Sequence, residues 1–438
     1  MVSNTTNDIV EQTNIDSHPQ RVGVTDMSDA LLRLGEQQLP RDYLLAYSKY
    51  LFPDGKVPCC VDERGADPVP ENDSPGEFIY LAASVLKATG DEELARSVWS
   101  SVHAAIGYLD RLRADERRSF GSADPAFAGL LPPSISHEGY SAKPMHSYWD
   151  DFWGLRGYGD AVYIASRLGH TGDARAFEAS RRDFARDVLA SIDVVTRRRG
   201  IDFIPGAADL GDFDATSTTI ALNPGIGAVA LRPALLDSTF ERYWQAFVAR
   251  RDATLEWRDY TPYEWRVVGS FVRLGQPDRA LGALRYFMDG RRPAGWRQWP
   301  EVIDRDPRHA RFIGDLPHGW VASDFMRATL DLFAFERESD SAVVIAAGLP
   351  ADWIAGEGVE VRGLQTRAGP VNYRLTRRGP RTELQLLAGS ALPPGGFVYR
   401  EPAHGASSRV FAEGRPVRFE NGELRIDHVP ADIALIDP

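Results

Sequence analysis

The sequence predicts a mainly α-helical chain folded as an (α/α)6 toroid, a closed double ring of inner and outer helices, with a small antiparallel β-sandwich at its C-terminal end. Eleven segments have helical periodicity or continuous apolar character. Short and long connections alternate between them, and after about residue 340 the sequence changes to short β-branched runs. We therefore expect a polar lead-in at 1–20, the helical toroid at 21–340, and the β-sandwich at 341–438.

Glycine-containing turns separate many of the predicted helices. Gly35, Gly90, Gly169 and Gly275 each follow a helix and precede a short polar turn, which is typical of left-handed helix C-caps. The helices are expected at 27–36, 41–52, 77–89, 92–113, 148–168, 172–198, 216–232, 238–251, 262–274, 277–289 and 321–337.

The long connections divide the helices into two sets. They join each amphipathic helix to the next apolar one, at 53–76, 114–147, 199–215, 252–261 and 290–320. We expect the inner helices at 27–36, 77–89, 148–168, 216–232, 262–274 and 321–337. Six inner helices favour a closed ring over an open solenoid. Five outer helices are visible, so the sixth would have to come from the N-terminal lead-in.

The C-terminal segment alternates short strands with turns. AVVI (342–345), VNYRLTRR (371–378) and TELQLL (382–387) are β-branched or alternating runs, and Asn421–Gly422 is a hairpin turn signal. This pattern predicts an antiparallel β-sandwich that packs against the helices.

Composition excludes several classes of function. The net charge of −12 over 438 residues argues against nucleic acid or an anionic membrane as a partner, and a neutral ligand fits best. Cys59 and Cys60 are adjacent, so they cannot form a loop-closing disulfide framework, and no Cys/His spacing suggests structural zinc. We expect no metal and no cofactor. The start of the sequence has no signal-peptide pattern, which favours the cytoplasm without excluding the periplasm.

Tryptophan is concentrated where the long loops meet the inner helices. Flat aromatic faces at a cavity mouth suggest stacking on sugar rings, and we expect this of Trp296 and Trp299. The alternative is that these rings fill the wide centre of the toroid. The seven residues concerned are Trp149, Trp153, Trp257, Trp265, Trp296, Trp299 and Trp320.

Carboxylates are concentrated in the same loops. Glycoside hydrolysis needs one protonated carboxyl as acid and one ionised carboxylate as base or nucleophile, and burial among aromatic rings raises a carboxyl pKa. Asp150 and Asp151 stand between Trp149 and Phe152, and Glu301 is close to Trp299. The alternative for Asp150 and Asp151 is stabilisation of a helix N-terminus.

Other polar residues of these loops are candidates for binding sugar hydroxyls. Asp73 or Ser74 could instead cap the helix ahead of Pro75. Asp209, Asp212 and Asp214 lack EF-hand spacing, so turn formation is favoured over calcium. The substrate-binding candidates are Glu71, Asp73, His137, Trp149, Trp153, Glu264, Trp296, Trp299, His318 and Trp320.

With these residues assembled, the chain resembles the (α/α)6-toroid glycoside hydrolases and phosphorylases, which include glucoamylase, trehalase, α-L-rhamnosidase and cellobiose phosphorylase. SYWDDFW (147–153) is similar to the WDSYW segment of trehalases and more loosely to the DWND segment of cellobiose phosphorylases. GKVPCCVDERGADPVPENDSPGEFIY (55–80) is similar to a segment of uncharacterised bacterial members. The Trp-x-Arg-Asp segment that many members carry at the first inner helix is reduced here to Asp26.

The resemblance implies a site at the loops that enter the inner helices. In those families the general acid lies in the loop that feeds the third inner helix, and the base or phosphate site lies before the sixth. Carried onto this sequence, the acid is Asp151, Asp150 or Glu138, and the base is Glu301.

These expectations describe an inverting glycoside hydrolase that acts on an oligo- or polysaccharide. A glycoside phosphorylase is an alternative on the same fold. A polysaccharide lyase would use a Tyr or His base with basic residues, and the loops offer Tyr140, His137, Lys143 and Arg297. A catalytically decayed glycan-binding protein or scaffold is the alternative of another class.

Overall fold

A computed structural model describes residues 20–21, 24–121, 123–136, 139–227, 229–291, 294–309, 316–400 and 409–437. Eleven α-helices lie within these ranges. They are α1 Val24–Arg33, α2 Gln38–Tyr47, α3 Ser74–Thr89, α4 Glu92–Phe120, α5 Tyr148–Arg167, α6 Thr171–Arg199, α7 Ala215–Thr219, α8 Pro233–Arg251, α9 Trp265–Arg273, α10 Pro277–Asp289 and α11 Gly319–Phe333.

Each predicted helix has a counterpart in the structure, although several bounds differ. The helix expected at 92–113 runs to Phe120, and the helix expected at 41–52 ends at Tyr47. The helix expected at 216–232 is broken, because Asn223 leaves helical geometry (φ −148°, ψ 108°) and Pro224 has no N–H to donate. Only α7 and a π-turn at Ala221–Gly225 form there. The helix expected at 321–337 ends at Phe333, and the chain passes directly into a strand. Gly35, Gly90, Gly169 and Gly275 all have positive φ, as predicted.

The six inner helices contact one another in cyclic order, from α1 through α3, α5, α7 and α9 to α11 and back to α1. Two ion pairs join the first helix to the last, Arg33 to Asp331 at 2.9 Å and Arg327 to Asp29 at 3.1 Å. The outer helices α2, α4, α6, α8 and α10 each pack on an inner helix. The sixth outer helix, expected in the N-terminal lead-in, falls outside the described residues.

Two glycines bring the inner helices α3 and α5 together. A Cβ atom on Gly157 would lie 2.8 Å from the Cα of Gly76, so a larger residue would push the helices apart. Because α3 and α5 touch near their N-terminal ends, the side chains at the start of each helix reach the start of the other.

The strands follow the helices in sequence, apart from five short ones inside the helical region. Those five are β1 Gln20–Arg21, β2 Cys60–Asp62, β3 Gly65–Ala66, β4 Asp259–Tyr260 and β5 Ile303–Asp304. The remainder are β6 Ala334–Arg337, β7 Ala342–Ile345, β8 Val359–Thr366, β9 Gly369–Arg378, β10 Arg381–Leu386, β11 Phe397–Arg400, β12 Arg409–Ala412, β13 Arg415–Val417, β14 Glu423–Ile426 and β15 Ala431–Ile436.

The C-terminal strands form two sheets with one shared core. The larger sheet has the order β13-β12-β15-β10-β9-β8 and is antiparallel, whereas the smaller has the order β14-β11-β7-β6. One pair departs from the antiparallel prediction, because β7 and β11 run parallel. Sheet pairing also begins at Ala334, inside the segment expected to be helical; the domain boundary at 340 stays a prediction.

The sheets cover the C-terminal ends of the inner helices. Arg400 on β11 donates to the carbonyl oxygens of Val272 and Arg273 at the end of α9, at 2.8 and 3.0 Å. The Tyr373 hydroxyl donates to the Phe333 carbonyl at the end of α11. These bonds satisfy carbonyl groups that a helix C-terminus leaves without partners. Across the described ranges, no helix combines the length and apolarity needed to cross a bilayer.

Candidate functional site

The N-terminal ends of the inner helices carry a cluster of aromatic and charged side chains. We call Asp73, Trp149, Asp150, Tyr263, Arg266 and Trp320 the mouth cluster. Asp73 precedes α3, Trp149 and Asp150 begin α5, Tyr263 and Arg266 stand at the start of α9, and Trp320 begins α11. The cluster therefore gathers residues from four helix starts that are up to 247 positions apart, from 73 to 320.

Direct contacts link the members of the mouth cluster. Trp149 Nε1 donates to Asp73 Oδ2 at 2.7 Å. The Arg266 guanidinium lies over the Trp149 ring, 4.8 Å from its centroid, and also over the rings of Tyr263 and Trp320. Arg266 Nε donates to Asp324 Oδ2 at 2.7 Å. The cation is thus held between aromatic faces and one carboxylate.

Asp73 occupies the N-cap position of α3 but does not cap the helix with its side chain. One carboxylate oxygen accepts from Trp149 instead. The capping role that the sequence suggested for this residue is therefore replaced by a contact across the helix starts.

Asp150 is fully buried and has an elevated pKa. Burial is the main cause, and the neighbouring Asp73 carboxylate adds to it, while hydrogen bonds from Ser134 and Ser136 act in the opposite direction. Asp150 Oδ2 accepts from Ser134 Oγ at 2.5 Å. Asp150 Oδ1 has no hydrogen-bond partner among the described residues. The side chain is therefore a buried carboxyl whose raised pKa favours the neutral form, with one oxygen that no described residue engages.

Asp151 is also buried but faces the outer layer. Its Oδ1 accepts from the Leu131 backbone N–H at 2.9 Å. Burial raises its pKa to about 7, against the favourable effects of that bond and of His146 and Arg113. Arg113 is on the outer helix α4, so Asp151 ties the loop and the outer helices to the start of α5.

Of the other two residues predicted as catalytic, only Glu301 lies within the described residues. Glu301 is half-buried beside the β4–β5 pair, and its backbone carbonyl accepts from Thr261 Oγ1 at 2.7 Å. Its pairing with an acid stays a prediction. Glu138 lies outside the described residues, and so does the predicted ligand His137.

The predicted binding residues fall into different surroundings. Glu264 is bound by Arg250 and by the Tyr243 hydroxyl of the outer helix α8, so it joins the two layers away from the mouth cluster. His318, at the N-cap of α11, bonds the Tyr263 hydroxyl through Nε2 at 3.2 Å, at the edge of that cluster. Glu71 is half-buried in the segment that leads to Asp73.

The predicted tryptophans differ in how far their side chains are exposed. Trp299 is only 5% exposed and donates to the Phe287 carbonyl, so it lies in the helical core. Trp153 is buried against Tyr80 and Trp149. Trp296, by contrast, is 60% exposed. Of the two residues expected to stack on sugar, Trp296 is therefore the one with an open face.

A small polar cavity lies beside Arg266, between the inner helices α7, α9 and α11. Its volume is about 10 Å³, roughly enough for one water molecule. Its lining consists of Thr219, Asn223, Arg266, Gly269, Asp324, Arg327 and Ala328.

Several residues of the site were not singled out from the sequence. Arg266, Tyr263 and Asp324 lie within one turn or so of the starts of α9 and α11, where their position alone could have identified them. Ser134 could not have been found in this way, because only the fold brings it to Asp150. Asp214 caps α7 through Thr216 N and Asp212 accepts from the Ala207 N–H, in agreement with the predicted turn-forming role.

The fold has counterparts among solved structures. The α-L-rhamnosidase from Dictyoglumus thermophilum superposes with a TM-score of 0.60 at 10% identity over 94% of this chain and 46% of its own. The α-L-rhamnosidase from Streptomyces avermitilis, solved with L-rhamnose, has a TM-score of 0.59 at 15% identity over 95% and 38%. The GH63 mannosylglycerate hydrolase from Thermus thermophilus has a TM-score of 0.50 at 13% identity over 75% and 99%.

These likenesses show that the chain has the fold of the (α/α)6-toroid glycoside hydrolases. The chain spans less than half the length of the two rhamnosidases. No protein-family model matches the chain, and no curated protein does. At identities of 10 to 15% the comparisons bear on fold alone.

Proposed function

We propose that the chain is a glycoside hydrolase that binds a carbohydrate at the mouth cluster and cleaves a glycosidic bond, with Asp150 as the general acid. The observation that carries the proposal is the position of Asp150 in the mouth cluster, where a buried carboxyl with a raised pKa lies beside Asp73; one of its oxygens, like Oδ2 of Asp151, is engaged by no described residue. A general acid must hold its proton at the working pH and present it to the leaving oxygen. The fold supports the same class of activity.

The environments of Asp150 and Asp151 favour Asp150 as the acid. The two side chains are adjacent in sequence, but Asp150 is next to Asp73 in the mouth cluster, whereas Asp151 is bonded to Leu131 beside the outer helices. The hydrogen bond of Asp151 joins it to the loop before α5 and not to an N–H group of the helix itself, so a helix-end role for either residue stays a prediction. Ser134 bonds Oδ2 of Asp150, which leaves Oδ1 as the oxygen that we propose for the leaving group.

Glu301 is our candidate for the base that activates water. In an inverting enzyme the acid and base carboxyl groups are separated by roughly 6.5–9.5 Å, against about 5 Å in a retaining one. Trp296 offers an exposed aromatic face for a sugar ring, and Arg266 offers a cation over the ring of Trp320. L-Rhamnose bound to the Streptomyces avermitilis protein makes a deoxyhexoside a reasonable first substrate to test.

The proposal is tested with the purified chain and a panel of aryl glycosides that includes the α-L-rhamnoside. We expect hydrolysis of at least one member, with inversion of anomeric configuration followed by NMR. Asp150→Asn should lower kcat by roughly 10² to 10⁴, the usual contribution of a general acid. Asp151→Asn is the matched control, and its activity should fall much less. Equal losses in the two variants would contradict the assignment of Asp150.

The alternatives give different results in the same assay. A phosphorylase would show turnover only when inorganic phosphate is added. A glycan-binding protein would retain sugar affinity without turnover in both the unaltered chain and Asp150→Asn. The lyase hypothesis is disfavoured at Tyr140, because burial and Asp212 raise the pKa of this phenol. A phenol that keeps its proton cannot accept one from a substrate.

A further inference from the structure

A group of two thiols and a carboxylate lies on the β2–β3 hairpin, in the segment that leads to α3. The Sγ atoms of Cys59 and Cys60 are 3.2 Å apart, and Cys60 Sγ is 3.8 Å from Asp67 Oδ2. One potential ligand atom from each of the three residues lies within 4.8 Å of the others. The sequence predicts no metal here, because the spacing of the cysteines gives no sign of zinc and Asp67 reaches them only through the hairpin.

The backbone of the hairpin sets this arrangement. β2 and β3 pair antiparallel, and the Asp67 N–H donates to the Cys60 carbonyl at 3.0 Å. Consecutive side chains in a regular strand point to opposite faces. Cys59 lies in a bend just before β2, so its thiol can turn to the same side as that of Cys60.

The electrostatic surroundings favour a cation. The carboxylates of Asp67 and Glu71 both act electrostatically on the thiols, and Asp67 Oδ2 is 3.8 Å from Cys60 Sγ. The Nζ of the neighbouring Lys56 donates to the Pro68 carbonyl. A divalent ion between the sulfurs and Asp67 would add positive charge where these acidic groups converge.

We propose that Cys59, Cys60 and Asp67 bind one Zn²⁺ ion. Two thiolates and a carboxylate are a donor set that zinc accepts, and a water molecule would complete a tetrahedral site. Binding would replace the two thiol protons, which are released to solvent, and would form two Zn–S bonds and one Zn–O bond. Two Zn–S bonds of about 2.3 Å at a tetrahedral angle require an S···S separation of roughly 3.8 Å, so the thiols need to part only slightly.

Such an ion would hold the segment that enters the mouth cluster. Only five residues lie between Asp67 and Asp73, which is at the N-cap of α3. Asn72, between them, donates to the Pro132 carbonyl in the loop that also carries Ser134. The inference concerns the stability of this segment and does not depend on the proposed hydrolase activity.

Cobalt is the probe for the test, because Co²⁺ bound by thiolate has a charge-transfer absorption that Co²⁺ bound by oxygen lacks. The chain has only two cysteines, so that absorption can arise only from Cys59 and Cys60. We expect the reduced chain to bind one Co²⁺ with this band, to release protons, and to exchange Co²⁺ for Zn²⁺. Zn²⁺ should also protect both thiols from alkylation, which requires no variant.

Variants then assign the ligands. Cys59→Ser and Cys60→Ser should each lose the site, and Asp67→Asn should weaken Co²⁺ binding by about tenfold or more. Asp62→Asn is the matched control on the same hairpin, because its carboxylate bonds Arg64, and it should bind Co²⁺ as the unaltered chain does. Absence of the band in the reduced chain would overturn the proposal. So would an unchanged affinity in Asp67→Asn, or a Cys59–Cys60 disulfide as the only stable state of the thiols.

Discussion

The pKa values of buried carboxyl groups shift in opposite directions at the two ends of the helical ring. At the end covered by the sheets, burial opposes the ionisation of Asp29, but Arg327 and Arg33 hold its pKa below the usual value. Glu338 is held low in the same way by Arg156 and Arg367. At the mouth, Asp150 has no such guanidinium, and its pKa is raised.

The difference separates charges that hold the fold together from charges available for chemistry. A buried carboxylate between two arginines stays ionised, because its neighbours replace the solvation that it has lost. A buried carboxyl without such a partner keeps its proton and can give it away. Perturbed pKa values occur in both settings, so the direction of the shift is the more useful guide to function.

Breaking the ion pairs at the covered end should have the largest effect on stability. Asp331 is fully buried and bonds Arg33 at 2.9 Å and Arg273 at 2.7 Å. We expect Asp331→Asn to lower the free energy of unfolding by about 3–5 kcal/mol, because it leaves two buried cations without their carboxylate. Urea denaturation measures this loss. A cost below about 1 kcal/mol would mean that water replaces the carboxylate.

The second largest expected effect is the contribution of Asp151 to the pH dependence of the free energy of unfolding. Its pKa is about 7 in the folded chain against 3.8 for an ordinary aspartate. Between these values the folded state retains a proton that the unfolded state has lost, so stability falls as pH rises, by roughly 1.4 kcal/mol per pH unit at most. Asp151→Asn cannot ionise at this position and should show a shallower decline, the remainder coming from Asp150. Parallel stability curves from pH 4 to 7 for the two proteins would contradict the prediction.

Asp150→Asn should have a smaller effect on stability than the same substitution at the covered end. Burial and the neighbouring Asp73 raise the pKa of this side chain and favour its neutral form, which an amide of equal size resembles. We expect a change within about 1 kcal/mol in the free energy of unfolding at pH 7. Thermal and urea unfolding of this variant beside Asp331→Asn give the comparison. Similar losses in both would show that Asp150 is as structural as Asp331.

The smallest expected effect on stability is that of Trp296→Ala. The ring is 60% exposed, so its loss should change the free energy of unfolding by about 0.5 kcal/mol or less. If Trp296 stacks on a sugar ring, KM for a hydrolysed glycoside should rise several-fold while kcat changes little. An unchanged KM would remove Trp296 from the binding site.

Much of the fold could be predicted because periodicity is local information. All eleven helices and the strand-rich C-terminal segment follow from spacing and turn residues, and the six-helix ring follows from the alternation of loop lengths. The break at Asn223–Pro224 was missed, although a proline inside an expected helix was a warning. The parallel pairing of β7 with β11 was missed because it depends on residues far apart in sequence.

The sequence could predict which segments form the candidate site, but not which side chains face one another. The long loops identified the helix starts, but only packing decides that Asp150 faces Asp73 and that Asp151 faces Leu131. In the same way, Trp296 and Trp299 are equivalent in the sequence, yet one is exposed and the other is enclosed by Trp265 and Phe325. Burial and direction of a side chain are properties of the whole fold.

The contact between Arg33 and Asp331 has a consequence for how the chain reaches its native state. It joins residues 298 positions apart, so α1 must wait for 298 further residues to be synthesised before this ion pair can form. Contacts of such long sequence separation form slowly, and until then Arg33 and Asp29 lack their partners on α11. A folding chain of this protein therefore passes through an open ring, and incompletely packed intermediates of this kind are prone to aggregation.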